Sequence, residues 1–263
     1  MTYENLLLEK SGQTMTVTLN RPKKLNALSP EVLQEYLRLF AELREDTETK
    51  FVIFTGAGRA FSAGADLTQG DRTREGLREY KARIAQLQGH DFIRNLENLE
   101  QVTIAAVNGY CLGAGLVLAM GCDFRIASSN AIFGVPEANV GIFFTWGSTP
   151  RLVSLIGPTE AKDMIMTCDM VDAERAFRIG LVSEIVTPEE LMNACHAKIA
   201  KIASKAPLAV RMTKKLVNAA AAPNFGDLYL CEPELVERIY MSPDTAEGME
   251  AFAQKRAPKF TGS

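Results

Sequence analysis

The stretch AAVNGYCLGAGLVLAMGCD, residues 105–123, narrows the possible folds more than any other part of the chain. It predicts a strand over Val102 to Val107, a turn at Asn108-Gly109, and a buried helix opening at Gly113-Ala114-Gly115. Glycines at such a junction let backbone approach a neighbour closely. The first N–H groups of a helix have no partner inside it, so they point outward as donors. A negative oxygen fits there.

Three readings fit this strand, turn and helix. A dinucleotide fingerprint needs a third glycine, where the chain has Leu118. Tight helix packing accounts for the glycines without any ligand. An oxyanion hole needs a second donor, and Phe61-Ser62-Ala63-Gly64-Ala65-Asp66-Leu67 offers one: it follows a strand-like run, Phe51 to Thr55, and again brings small residues to one place.

Composition removes several classes of function. With 263 residues, 47% of them hydrophobic, the chain has material for one large domain or a domain with a small appendage. The net charge of −3 is spread over interspersed acids and bases, which gives no footprint for nucleic acid or an anionic membrane. No basic leader precedes an apolar stretch, and no apolar run reaches the ~18 residues of a membrane span. The expectation is a soluble, cytoplasmic protein. Cys111, Cys122, Cys168, Cys195 and Cys231 are scattered without a C-x-x-C pair and read as reduced core thiols. With only His90 and His196, no histidine-rich metal site is expected. H-E-x-x-H, G-x-S-x-G and Walker A patterns are absent.

Along the chain, alternating residues from about Tyr3 to Leu19 predict two strands joined at Ser11-Gly12. Ser29 as N-cap and Pro30 at the first helical position open a helix reaching about Arg44. The polar run after Thr68 suits a mobile surface segment leading into an amphipathic helix that ends near Asn98. Short strands are expected at Phe124 to Ala127 and Ala131 to Phe133. After Trp146 the pattern reads as helical throughout, in seven pieces from Ser148 to Arg256, punctuated by Gly157-Pro158, Gly180, Pro207, Pro223 and Pro243.

The blocks FSAGADL, NGYCLGAGLVLAMGCD and FGVPEANVGIF resemble, in order and spacing, the enoyl-CoA hydratase/isomerase (crotonase) superfamily. TLNRPKKLNALS before them, with AFRIGLVSEIV and EGMEAFAQKRAPKF after them, extend the resemblance over essentially the whole chain. It implies an α/β fold: a spiral of ββα turns over residues 1–200 holding the CoA and acyl site, then a helical region, 201–263, that packs between subunits. It also implies an acyl-CoA substrate, no cofactor beyond that CoA, and a homotrimer or dimer of trimers.

Matching the motifs position by position implies the backbone N–H groups of Ala65 and Ala114 as oxyanion donors, with Ala114 where a glycine is more often found. Gly113 stands beside them. Ala63, Asp66 and Leu67 would border the adenine, and Lys23, Lys24 and Ala27 would lie along the CoA; as bare residues the lysines read as solvated charge. Phe252 and Lys255 fall in the piece that, in relatives, reaches a neighbouring CoA site, and are otherwise ordinary helix positions.

Hydratases of this family use two glutamates. The second matches Glu137; the first position holds Val117, which cannot orient water or carry a proton. One carboxylate can still remove a proton from one carbon and return it to another, the logic of an enoyl-CoA isomerase. An apolar wall of Leu116, Val117 and Phe143 should raise its proton affinity. The alternatives are an atypical hydratase or other CoA-thioester lyase or hydrolase, and a non-catalytic acyl-CoA binder. Trp146 and Phe143-Phe144 read as acyl-pocket lining or as core. His90 reads as a surface or helix-end residue.

Overall fold

The computed structural model describes residues 3–67, 79–221 and 226–262, with side chains described outside 79–86 and 226–230. The mobile segment expected after Thr68 falls largely outside the described residues. β1 (Leu6–Ser11) and β2 (Thr14–Leu19) form an antiparallel hairpin that turns at Gly12, φ 57°. α1 (Pro30–Glu45) starts as its sequence dictates: Ser29 Oγ accepts from Val32 N at 3.4 Å and Pro30 supplies a residue whose missing N–H costs nothing. It leads into β3 (Phe51–Gly56), which runs parallel to β2.

From β3 onward the chain repeats one move. A long strand of one sheet is followed within a few residues by a short strand of another, and then by a helix. β3 is followed by β4 (Ala60–Ser62) and α2 (Glu79–Glu97). β5 (Val102–Val107) is followed by β6 (Tyr110–Leu112) and α3 (Ala114–Met120). β7 (Phe124–Ser128) is followed by β8 (Ile132–Gly134) and α4 (Ser148–Thr167). Both sheets take up these strands in the same order, so successive turns stack into a spiral.

The larger sheet explains why β5 is apolar without interruption. Val102, Ile104 and Ala106 pack with Ile53 and Ile126 against Leu191, Cys195 and Ile199 of α6 (Leu191–Ala203). Ala105 and Val107 point the other way, into the core built by Tyr36, Phe40, Phe92 and α3. A parallel strand covered on both faces has no polar side to show.

The stretch after Trp146 is not helical throughout. β9 (Val171–Asp172) pairs antiparallel with β8, and β10 (Glu184–Val186) pairs parallel with β7. Each covers one sheet edge, and segments of two and three residues are too short to display an alternation. The remaining helices are α5 (Ala173–Arg178), α7 (Pro207–Ala221), α8 (Gly226–Tyr240) and α9 (Pro243–Gln254). The expected break inside α4 occurs at Gly157, φ 79° and ψ 163°. Among the described residues no helix is long and apolar enough to cross a membrane.

Candidate active site

The site is built where the first turn of α3 meets the loop after β4. Gly113, with φ 48° and ψ −120°, opens α3 and donates its N–H to Gly134 O at 3.0 Å, fastening the junction to β8. Behind it, Gly115 lies on β4 so closely that a Cβ would come within 2.5 Å of Ser62 O. Gly64, at φ 97°, lies against the same junction: a Cβ there would stand 3.0 Å from Leu112 O and 3.5 Å from Ala114 N. The peptide joining Gly64 to Ala65 therefore runs beside the start of α3.

Hydrogen bonding orients both amides. Ala63 N donates to Leu25 O at 2.9 Å, Leu28 N to Gly64 O at 2.8 Å, and Asp66 N to Leu28 O at 2.9 Å. This parallel pairing uses the backbone on either side of Ala65 and leaves the Ala65 N–H facing away from it. Ala114 N is the first amide of α3 and has no acceptor within the helix. Among the described residues neither amide is bonded. Ala65 is exposed and Ala114 buried.

The loop before α1 holds this arrangement in place. Leu25 (φ 50°) and Asn26 (φ 57°) are both left-handed, which Asn tolerates better than most residues. The fully buried Asn26 side chain accepts from Arg21 N at 2.9 Å and donates to Ala57 O at 2.9 Å and Ala60 O at 2.6 Å. Sequence reasoning passed over Asn26; its signal was a turn-forming amide amid apolar neighbours. Asp66 pairs with Arg21 at 3.0 Å with its carboxylate buried. Lys23 and Lys24 stand exposed on the short 3-10 turn before it, Ala27 is buried, and Ala63 and Leu67 are half-buried.

Glu137 comes to the same junction from β8, on the 3-10 turn Pro136–Val140 that Gly141 ends at φ 73°. Its carboxylate abuts the opening of α3: a Cβ on Gly113 would meet Glu137 Oε1 at 2.5 Å. The residue is partly exposed, yet Oε2 is enclosed and has no hydrogen-bond partner among the described residues. Burial strips this carboxyl of water and pushes its pKa up to about 7. Val117 lies one turn into α3, buried with Leu116, and brings no polar atom. The arrangement has the parts for proton transfer beside a developing negative oxygen: two free amides, one protonatable carboxyl and a hydrocarbon wall.

The aromatic residues divide. Phe144 is core, Phe143 is half-buried, and Trp146, at φ 63°, packs edge-on to Phe92 and over Gly89, leaving no room for a Cβ there. His90 is not at the surface. It is 5% exposed, and Nε2 lies 3.2 Å from Glu232 Oε1, whose carboxylate also accepts from Gly147 N. The reason is its neighbourhood: Phe92 and Ile93 turn that face of α2 inward, and Glu232 of α8 offers a polar partner. Glu232 also escaped notice in the sequence, hidden before Pro233 in a run that reads as ordinary helix. Phe252 is exposed, and Lys255 ends α9 at φ 53°. Four cysteines are buried, but Cys231 is exposed, contrary to the expectation of core thiols throughout. No cluster of three or more His, Cys, Asp or Glu side chains suited to a metal occurs among the described residues.

Comparison with known proteins identifies the family and the fold. The sequence model of the family described as Enoyl-CoA hydratase/isomerase matches residues 9–263. The short-chain-enoyl-CoA hydratase of Clostridium acetobutylicum is 41% identical over 257 residues, 97% of either chain. An enoyl-CoA hydratase structure from Mycobacterium avium subsp. paratuberculosis superposes with a TM-score of 0.88 at 28% identity, covering 99% of this chain and 100% of that one. A monofunctional enoyl CoA isomerase from M. smegmatis superposes at 0.71 with 32% identity, over 84% of this chain and 96% of that one. The α/β spiral, the paired glycine junctions and these likenesses lead to one conclusion: the chain belongs to the enoyl-CoA hydratase/isomerase (crotonase) family.

Proposed function

We propose that the protein acts on an enoyl-CoA thioester by proton transfer through a single carboxylate, Glu137, with the amides of Ala65 and Ala114 holding the thioester oxygen. One observation carries this reading: Glu137 Oε2 is buried and unbonded next to the glycine that opens α3. A fold that leaves a carboxyl in that condition accepts a cost unless the group has work to do. Each amide would supply roughly 2.7–4 kcal/mol of barrier lowering as charge moves onto the oxygen.

The residues at the site favour double-bond migration. Glu137 removes a proton from C2 of a 3-enoyl-CoA, and the electron pair moves onto the thioester oxygen to give a dienolate. The same carboxyl returns the proton to C4, leaving the double bond between C2 and C3. No second acid is needed, and Val117 supplies none. Hydration is the second reading, and the names of the similar proteins lean toward it: the Clostridium relative and the M. avium structure are both called hydratases. It requires a group other than residue 117 to hold the water that adds to C3. CoA enters with the substrate. An assembly of several copies belongs to the same reading, supported by Leu208, Met212 and Leu216, exposed at four-residue spacing along α7.

Purified protein incubated separately with a 3-enoyl-CoA and a 2-enoyl-CoA decides between the two. Conversion of the first to the 2-enoyl isomer is the expected outcome. Rapid hydration of the second, with the first left unchanged, would replace migration by hydration.

A further inference from the structure

α9 meets the turn that carries Glu137 through bare backbone. A Cβ on Gly248 would lie 2.6 Å from the carbonyl carbon of Val140, and one on Gly141 would lie 2.8 Å from Thr245 Cα. Between these contacts stands the buried Thr245, whose hydroxyl is 2.8 Å from Gly141 O and 2.5 Å from Ile239 O. One side chain thus ties the residue that ends the turn to the last part of α8. Inside the turn, Ile142 N donates to Glu137 O and Gly141 N to Ala138 O, both at 3.1 Å. A shift of Gly141 is therefore passed to Glu137.

The first turns of α9 also hold the C-terminal tail. Asp244 accepts from Thr261 N and Gly262 N at 2.7 Å each, and Glu247 accepts from Lys259 N at 2.7 Å and pairs with Arg256. These bonds fold the C-terminal tail back on the start of α9.

We infer that Thr245 is a positioning residue for Glu137, fixing through Gly141 where its carboxylate lies against the opening of α3. This rests on the reading of Glu137 as the acid–base group. Oε2 has no hydrogen bond, and the residue's own backbone supplies a bond to the carboxyl, so the backbone of the turn determines where it lies. The nearest constraint on that backbone outside the spiral is α9.

The test compares Thr245→Val, Thr245→Ser and Glu137→Gln in the same thioester assay, with kcat/KM followed from pH 5 to 9. Thr245→Val should lower kcat roughly tenfold, since small misplacements of a reacting group are costly, while KM stays within about twofold. Its acidic limb should move to lower pH as the displaced carboxylate regains water, and Thr245→Ser should restore both. A lowered melting temperature with unchanged kcat per folded molecule and an unmoved limb would overturn the inference. If Thr245→Val does not fold, Gly248→Ala, whose Cβ presses on Val140, carries the same expectation. Full activity in Glu137→Gln would remove both the acid–base reading and the positioning role. An inactive Glu137→Gln beside a normal Thr245→Val and a normal Gly248→Ala would remove the positioning role alone.

Discussion

The two ends of α3 hold carboxylates in opposite conditions. Below its C-terminus, Asp123 Oδ2 accepts from Thr103 N at 2.8 Å and Thr103 Oγ1 at 3.0 Å, and meets Lys214 Nζ at 2.8 Å. Lys214 in turn donates to Gln101 O at 2.7 Å, so the acid joins β5 and α7. At the N-terminus, Glu137 is left with an enclosed oxygen and no bond to it. Both acids sit at the margins of the same seven-residue helix; one has an oxygen with three partners and the other an enclosed oxygen with none. The difference teaches where to look for chemistry in this fold: at the acid with an enclosed oxygen left without a partner.

The largest expected effect comes from removing that acid. Glu137→Gln should lower kcat about a thousandfold, within the range for a lost general acid–base. It should also stabilise the protein at pH 8. Burial raises this carboxyl from its ordinary 4.5 to about 7, so between those values the folded state keeps a proton that the unfolded state has released. Stability then falls as pH rises through that window and remains lowered above it. The amide escapes the penalty, worth a few kcal/mol at most, since a tenfold change in proton affinity is about 1.4 kcal/mol. Urea unfolding of both proteins at pH 5 and 8 checks this. A variant less stable than the parent at both pH values would place Glu137 in the same class as Asp123.

A smaller effect of opposite character is expected at the other end. Lys214→Met removes the cation from the half-buried Asp123 carboxylate and should cost about 1–3 kcal/mol of stability. kcat per folded molecule should not change. Denaturant midpoints together with kcat check it, and a large loss of turnover at unchanged stability would break the contrast.

Which of these features the sequence revealed follows from physical range. β5, the glycine junction and α3 were legible because an apolar strand, a turn and an apolar helix each impose a local pattern. Ser29 and Pro30 mark the start of α1 for the same reason. β4 and β6 were not legible: each has three residues, and their pairing is created by the stacking of successive turns. Glu137 could be selected from its motif, yet its unbonded oxygen could not, because the groups around it come from β8, α3 and their connection. His90 was misplaced for a related reason. Its partner, Glu232, lies far along the chain on α8, and a single helix pattern does not show which polar residue will be met by another. Asp66 shows the converse: its motif was legible, while its engagement with Arg21 depends on a loop that precedes it by more than forty residues.

The central claim is that Glu137 is an acid with one enclosed, unbonded oxygen, poised near neutrality, and its titration tests this most directly. Infrared difference spectra between the parent protein and Glu137→Gln, recorded from pH 5 to 9, isolate the carboxyl C=O band of this one residue. The band should be present at pH 5.5, half lost near pH 7 and absent at pH 8.5. A residue already ionised at pH 5.5 would contradict the account, because an acid with an ordinary pKa is not the one this site encloses.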